Sequence, residues 1–313
     1  MIYVSCGPRF ESVDEDAPML RKPLAICIPM LFAVSLAAGA NTPPSAPSLS
    51  ATEIVDRNVA ARGGLQAWRS VQTMSMEGKM GAGGNQRSTI SLPGDAMGQK
   101  VVPPRPAEEA QLPFVMDLKR SRKMRLEVQF NGKTALQVYD GSNGWKLRPF
   151  LNRLQIENFT PEELKAAGTQ SDLDGPLVDY AAKGTRIELA GVEKVRDRDN
   201  YKLRLILKTG DVFHLWVDSE TFLETKMEGQ PRRLDGTYHA VEIYFEDYRQ
   251  VNGLKIPFVL ETRVLPVAKT ALGIKDTPVP PEKIQIDKVV VNPTLDEALF
   301  SKPTAAGAAP RGK

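Results

Sequence analysis

The feature that most constrains the fold of this chain is a regular alternation of apolar and polar side chains. It runs over residues 74–80, 114–119 and 124–130. Successive side chains of a β-strand point to opposite faces of a sheet, so each segment is predicted to be a strand with one apolar and one polar face. Sheets with one solvated face are commonly antiparallel. The chain is therefore predicted to be mainly β and to fold around antiparallel sheet.

Turn-forming dipeptides separate the alternating segments. Asn-Gly and Asp-Gly favour the tight turns that join antiparallel neighbours. They occur at Asn131-Gly132, Asp140-Gly141, Asn143-Gly144 and Asn252-Gly253. Further strands are predicted at residues 134–139, 201–208, 212–217, 222–228, 241–249, 255–263 and 284–291. Long loops are predicted at residues 81–113 and 264–281, which are rich in Gly and Pro.

Helical signals interrupt this pattern at a few places. Ser50 and Glu53 form a capping-box pattern, and Thr160 precedes Pro161, so both sites mark the start of a helix. These helices are predicted to end at Gly63-Gly64 and Ala166-Ala167-Gly168, with a second short turn at residues 65–70 and a weaker helix at about 175–182.

The N-terminal region has the layout of a secretory signal peptide. Arg21 and Lys22 precede a mostly apolar run that ends in Ala38-Gly39-Ala40, an A-x-A cleavage site. The alternative is a permanent membrane anchor, but an apolar run of about 17 residues lies at the lower limit for crossing a bilayer. We therefore expect cleavage after Ala40 and export to the periplasm.

The domain organisation follows from this signal. Residues 1–18 carry acidic side chains where an export signal needs positive charge, so we predict a non-native N-terminal extension and a translation start at Met19. The remaining segments are predicted as a signal peptide at 19–40, a Pro-rich linker at 41–49, a single β domain at 50–302 and a disordered tail at 303–313.

Composition excludes several kinds of site. Cys6 and Cys27 both precede the predicted cut, so the mature chain has no thiol for a disulfide, a nucleophile or a metal. A lipoprotein anchor on Cys27 is disfavoured because the bulky Ile26 stands directly before it. The mature chain has a net charge of about +4, which is too balanced to indicate binding to nucleic acid.

The chemistry-bearing residues do not form a catalytic pattern. His214 and His239 lie in separate predicted strands, and a metal site or catalytic triad would need both beside a carboxylate. The glycines at residues 81–84 are not followed by the residues of a dinucleotide-binding or phosphate loop. We therefore predict a protein that is not an enzyme and uses no cofactor or metal.

Methionine is abundant on the apolar side of the predicted strands. The residues concerned are Met74, Met76, Met80, Met116, Met124 and Met227. Methionine is flexible and polarizable, and it suits surfaces that accept varied apolar ligands. The composition alone favours an ordinary hydrophobic core, and the ligand-binding interpretation stays open beside it.

Four segments carry a family resemblance: residues 54–80, 123–145, 189–218 and 247–257. The most specific parts are Tyr139 to Trp145 (YDGSNGW) and Asp247 to Pro257 (DYRQVNGLKIP). These segments resemble the bacterial outer-membrane lipoprotein-sorting proteins, the LolA/LolB-type carriers. The resemblance implies an incomplete antiparallel β-barrel with a few short helices on its concave face, and it transfers no catalytic residue.

The same resemblance implies a function. It indicates a periplasmic carrier that binds lipoprotein acyl chains or other lipids in an apolar cavity, with inner- or outer-membrane partner proteins. We expect a monomer. The alternative is a regulatory or sensor module of the same fold that binds a partner protein, and a cavity filled by its own helices and aromatic side chains would favour it.

The candidate ligand site is the set of apolar side chains that the alternation places on one face of the strands. A shift of one residue in register would exchange the two faces of any strand. The predicted cavity-lining residues are Met74, Met76, Phe114, Met116, Leu118, Met124, Leu126, Val128, Leu136, Val138, Leu203, Leu205, Phe213, Leu215, Ile243 and Phe245.

Overall fold

A computed structural model describes residues 49–83, 109–149, 153–234, 236–271, 273, 275–276 and 278–304. The predicted N-terminal extension and signal peptide lie outside these ranges. So do most of the predicted linker and tail, and the central part of the predicted loop at residues 81–113.

The described chain consists mainly of strands, with three α-helices and a short 3₁₀ helix. The helices are α1 (Ala51–Ala61), α2 (Leu65–Ser70) and α3 (Pro161–Gln170), and the 3₁₀ helix is Glu297–Phe300. The strands are β1 (Thr73–Gly83), β2 (Glu109–Lys119), β3 (Lys123–Phe130), β4 (Lys133–Tyr139), β5 (Gly144–Arg148), β6 (Arg153–Asn158), β7 (Arg186–Val195), β8 (Arg198–Ile206), β9 (Val212–Asp218), β10 (Glu224–Leu234), β11 (Thr237–Val251), β12 (Leu254–Val264) and β13 (Glu282–Val291). The prediction of a mainly β chain is confirmed.

The strands form a single antiparallel sheet of 13 strands. The sheet contains two meanders, one formed by β1 to β6 and the other by β7 to β13. The two meanders join where β1 pairs with β13. Strands β6 and β7 are the two edges of this sheet, so the sheet is not closed. The architecture is an incomplete antiparallel barrel.

The predicted capping box at Ser50 and the predicted N-cap at Thr160 are confirmed. At the start of α1, the Ser50 hydroxyl accepts a hydrogen bond from the Glu53 amide at 3.2 Å, and the Glu53 carboxylate accepts one from the Ser50 amide at 2.8 Å. Thr160 and Glu163 make the same reciprocal pair at the start of α3. Helix α3 continues to Gln170, past the predicted end at Gly168.

The predicted helix at residues 175–182 is wrong. This segment forms turns, in which the Lys183 amide donates to the Asp179 carbonyl and the Thr185 amide donates to the Tyr180 carbonyl. Asp179 has a φ of 51°, in the left-handed region. Because a left-handed residue cannot continue a right-handed helix, the segment stays a series of turns.

The predicted loop at residues 81–113 is too long at both ends. Strand β1 continues to Gly83, and β2 begins at Glu109. Pro113 lies within β2 opposite Lys79 of β1, while the ladder between β2 and β3 ends at Phe114. Proline is tolerated there because it stands beyond the end of one ladder, where its missing N–H removes no bond to β3.

Candidate functional site

One face of the sheet is apolar across both meanders. Opposite residues of an antiparallel pair point to the same face. Met76 of β1 is opposite Met116 of β2, which is opposite Leu126 of β3. In the second meander, Leu203 of β8 is opposite Leu215 of β9. We call the surface that carries these residues the inner face, and the opposite surface the outer face.

Most of the predicted cavity-lining residues lie on the inner face and belong to one hydrophobic cluster. Val128 and Phe213 are partly buried in that cluster, and the others are buried. The residues that the structure brings together are Met74, Met76, Phe114, Met116, Leu118, Met124, Leu126, Val128, Leu203, Leu205, Phe213, Leu215, Ile243 and Phe245. Their role in binding a ligand remains a prediction.

Leu136 and Val138 do not share this surface. In the ladder between β3 and β4, Leu136 is opposite Glu127 and Val138 is opposite Arg125, whereas Leu126 is opposite Gln137. The predicted assignment of Leu136 and Val138 to the same face as Leu126 is therefore wrong. They form a second cluster on the outer face with Leu147, against which Trp145 packs.

Strand β12 contributes inner-face residues that are not among the predicted cavity-lining residues. Leu254, Ile256, Phe258 and Leu260 are buried in the main cluster. They alternate along the chain with the same period of two as the strands that were recognised. That signal was sufficient to find them.

The helices cover one end of the inner face. Ile54 and Val55 of α1 and Trp68 of α2 are buried in the main cluster, together with Leu177 and Val178 from the turns that follow α3. The apolar stripe of α1 thus packs on the sheet as an amphipathic helix does. The hydrophobic core lies between the sheet and these segments.

A buried polar network lies where α1 meets the sheet. Arg62 Nη1 lies 3.1 Å from Glu224 Oε1 and donates to the Asp174 carbonyl at 3.1 Å, and its guanidinium lies 4.3 Å from the centroid of the Trp68 ring. Tyr248 donates its hydroxyl proton to the Glu224 carboxylate at 3.1 Å. Burial, followed by the nearby Glu224 charge, raises the pKa of Tyr248 well above its ordinary value. Tyr248 therefore stays protonated and acts as a donor.

A second ion pair fixes the turns after α3 at the same end of the sheet. Arg120 makes a bidentate pair with Asp174, with two N–O distances of 2.8 Å. It also donates to the carbonyls of Trp68 and Val71 at 2.6 Å. The hydrogen bonds to Asp174 raise the pKa of Arg120. The arrangement joins α2, the hairpin between β2 and β3, and the segment after α3.

Helix α3 spans the gap between the edges of the sheet. Lys146 of β5 donates to Glu163 of α3 at 2.5 Å, and this pair is largely buried. Lys165 of the same helix pairs with Asp211, in the turn between β8 and β9, at 2.7 Å. One helix is thus bonded to the two meanders on either side of the opening.

The C-terminal segment crosses the outer face. Arg125 donates to the Leu299 carbonyl at 3.2 Å, and Phe300 is 1% exposed. Lys123 and Lys119 bind the Glu297 carboxylate, and the hydrogen bond from Lys123, then that from Lys119, lower the pKa of Glu297 to about 2. A surface pocket of about 430 Å³ lies beside this segment and is lined by Trp145 and mainly polar side chains.

The two histidines have separate partners. His214 Nδ1 lies 2.9 Å from the Glu228 carboxylate, and His239 Nδ1 lies 3.0 Å from the Leu265 carbonyl. No group of three or more His, Cys, Asp or Glu side chains in the described ranges could hold a metal ion. Within the same ranges, no helix is long and apolar enough to cross a bilayer.

These features define a class of architecture, an open antiparallel barrel with an apolar inner face covered by helices. No family model and no curated protein sequence matches the chain. Solved structures do align with it. A LolA superfamily protein from Nitrosomonas europaea is 14% identical, covers 82% of this chain and 99% of its own, and has a TM-score of 0.45.

Two further structures align over similar lengths. A DUF1329 family protein from Desulfovibrio piger is 13% identical, with 80% of this chain and 97% of its own covered and a TM-score of 0.46. A putative outer membrane lipoprotein-sorting protein domain from Vibrio parahaemolyticus is 12% identical, with 80% and 95% covered and a TM-score of 0.44. Two of these three structures bear the name of the family that the sequence resembles.

Proposed function

We propose that this protein is a periplasmic carrier that holds the acyl chains of lipoproteins or other lipids against its inner face. The observation that supports this proposal is the continuity of that face, which is apolar across both meanders and rich in methionine. Methionine side chains can repack around ligands of different shape. The sheet is not closed between β6 and β7, and helix α3 lies across this gap.

The energetics suit a carrier. Burial of one acyl chain of about 14 methylenes, at ~0.8 kcal/mol each, contributes about 11 kcal/mol. Loss of translational and rotational freedom costs about 4–15 kcal/mol and offsets much of that gain. The balance permits binding that shields an acyl chain from water and still releases it to an acceptor.

The first experiment is to purify the mature protein from a membrane-containing bacterial host and identify co-purified lipid by mass spectrometry. The delipidated protein is then titrated with a fluorescent fatty acid. We expect bound lipid in the first measurement and saturable binding in the second. A protein that is free of lipid and also fails to bind the fatty acid would contradict the carrier.

A matched pair of variants on β1 tests whether lipid binds to the inner face. Met76 is on the inner face, and Lys79 points to the opposite side of the same strand. Met76→Gln places a polar group of similar size on the proposed lining, so lipid affinity should fall about 10-fold, with part of the apolar burial lost. Lys79→Gln should leave lipid affinity unchanged. Equal effects of the two variants would argue against the inner face as the site.

The second candidate function is a partner-binding module of the same fold. One observation favours it: Trp68, Leu177 and Val178 already pack into the main cluster, so the protein's own segments occupy part of the inner face. The lipid measurements discriminate between the two functions, because a partner-binding module should remain folded and monodisperse without lipid and show no acyl binding.

A further inference from the structure

The inner face becomes polar at the end of the sheet farthest from α1. His239 continues the inner row of Val241 and Ile243 along β11, and it is 1% exposed. Arg232 of β10 is opposite His239 in the ladder. Thr262 of β12, which is opposite Ile243, is also buried on this face. A row of methionine and aliphatic side chains therefore leads to a small group of polar ones.

The two ring nitrogens of His239 have different surroundings. Nδ1 lies 3.0 Å from the Leu265 carbonyl oxygen and 3.4 Å from Oδ2 of Asp276. Both neighbours are acceptors, so Nδ1 carries a proton and donates. Nε2 is buried and has no hydrogen-bond partner among the residues that the structure describes. Buried polar atoms in native proteins nearly always have a hydrogen-bond partner, so one is expected for Nε2.

The charges around His239 determine which ligand can bond to its Nε2. Arg232 is engaged by Glu282 at 2.8 Å, and the Asp276 side chain is 2% exposed. The Arg232 charge is balanced by Glu282, and the Asp276 carboxylate beside His239 adds a negative charge that would repel a further anion. With a proton on Nδ1, a neutral imidazole presents the lone pair of Nε2 as an acceptor. The complementary ligand is a neutral headgroup that donates a hydrogen bond.

We propose that His239 Nε2 anchors the headgroup of a neutral acyl lipid through a hydroxyl or amide N–H donor. The acyl chain lies along the inner face, and the headgroup meets His239 at the polar end. This inference rests on the proposed carrier function and names the class of lipid that the carrier selects. The site distinguishes ligands with the same acyl chain by their headgroup.

The test compares three probes that share an oleoyl chain, monooleoylglycerol, methyl oleate and oleic acid, by calorimetric titration of the delipidated protein. Monooleoylglycerol supplies the donor, methyl oleate lacks it, and oleic acid adds a charge at neutral pH. We expect monooleoylglycerol to bind about 10-fold more tightly than either of the others, the effect of one buried hydrogen bond.

Two variants of His239 and one control attribute that preference to the site. His239→Leu removes the acceptor and should reduce monooleoylglycerol affinity about 10-fold while leaving methyl oleate within about 2-fold. His239→Gln keeps a carbonyl acceptor and should retain most of the preference. Thr134→Val removes a buried hydroxyl on the outer face, away from the proposed site, and should change neither affinity. Circular dichroism checks that each variant is folded, and if His239→Leu fails to fold, the three-probe series on the unmodified protein decides.

The outcomes separate the two proposals. Equal binding of all three probes, or a preference for oleic acid, overturns the role of His239 and leaves the carrier standing. Failure of the unmodified protein to bind any of the probes overturns the carrier, and the headgroup site with it.

Discussion

Single side chains in this protein stabilise the fold mainly by satisfying one another in buried positions. Asp218, at the end of β9, is the clearest case. Its carboxylate pairs with Arg198 at 2.6 Å and accepts from the amide of Thr221 at 2.8 Å. Burial alone would raise the pKa of Asp218, but the bonds from Arg198 and then from Thr221 outweigh it and lower the pKa to about 2.

This lowered pKa predicts a pH dependence of stability. Because the pKa is lower in the folded chain than its ordinary value of 3.8, the stabilisation is fully present above about pH 4 and is lost as the pH falls to about 2. At about 1.4 kcal/mol per pKa unit, it amounts to about 2 kcal/mol. Asp218→Asn should lower the free energy of unfolding by that amount at pH 7 and flatten its slope between pH 4 and 2.

Urea unfolding at a series of pH values measures this effect. Asp199 pairs with Lys194 on the surface and serves as the control. Asp199→Asn should leave the slope close to that of the unmodified protein, since exposed pairs contribute little. An Asp218→Asn protein with the unmodified slope would show that Asp218 is not the group responsible.

Replacing Arg62 should lower the stability of the protein more than replacing an exposed arginine, because its partner Glu224 is buried with it. Arg62→Ala leaves the Glu224 charge without its ion pair and removes the stacking on Trp68, so it should destabilise the protein by about 3–5 kcal/mol. Arg69→Ala breaks the exposed pair with Asp179 and should cost less than about 1 kcal/mol. Guanidinium unfolding compares the two, and similar losses would refute the importance of burial.

Among the elements, the pairing of β1 with β13 matters most, because it joins the two meanders. The register shifts between Glu77 and Gly78, so the seam contains an irregularity at that point. Gly78 is there for steric reasons, since a Cβ atom would lie 2.1 Å from the Gln285 carbonyl oxygen of β13. The neighbouring backbone, not a positive φ, requires glycine at this position.

Gly78→Ala should therefore weaken the seam. Overpacking against a backbone atom costs about 1–3 kcal/mol, and the loss should appear as faster amide hydrogen exchange in β1 and β13. Lys79→Ala on the same strand is the control and should leave exchange unchanged. If alanine at position 78 left both stability and exchange at the level of the control, the steric explanation would be wrong.

The molecule as a whole is organised by segments distant in sequence that return to the sheet. The C-terminal segment crosses the outer face and lies against β3 and β4, while α1 and α2 cover one end of the inner face. Helix α3 is bonded to both meanders across the opening. Both faces of the sheet are therefore partly covered, and each cover comes from a segment between or beyond the meanders.

The covering role of the C-terminal segment is testable at Phe300. Phe300→Ala removes a ring that is 1% exposed and should destabilise the protein by about 3 kcal/mol. Lys302 is exposed on the same segment, and Lys302→Ala should be neutral. Thermal unfolding distinguishes the two variants. An equal melting temperature for Phe300→Ala and the unmodified protein would show that the segment is not a structural part of the fold.

The sequence was sufficient for local features because they depend on residues close together in the chain. The period of two in Met124, Leu126 and Val128 dictates a strand, and the capping boxes at Ser50 and Thr160 dictate helix starts. The fourteen predicted residues of the main cluster were found for the same reason. The failure at residues 175–182 arose because composition does not reveal that Asp179 adopts a positive φ.

Only the tertiary structure decided which side chains lie on the inner face and which residues meet at the ends of that face. Leu136 and Val138 alternate as regularly as their neighbours, but the register between β3 and β4 turns them to the outer face. That register depends on a partner strand and a turn, which periodicity within β4 does not contain. The pairing of β1 with β13 and the meeting of His239 with Asp276 bring together residues far apart in sequence, so long-range packing alone determines them.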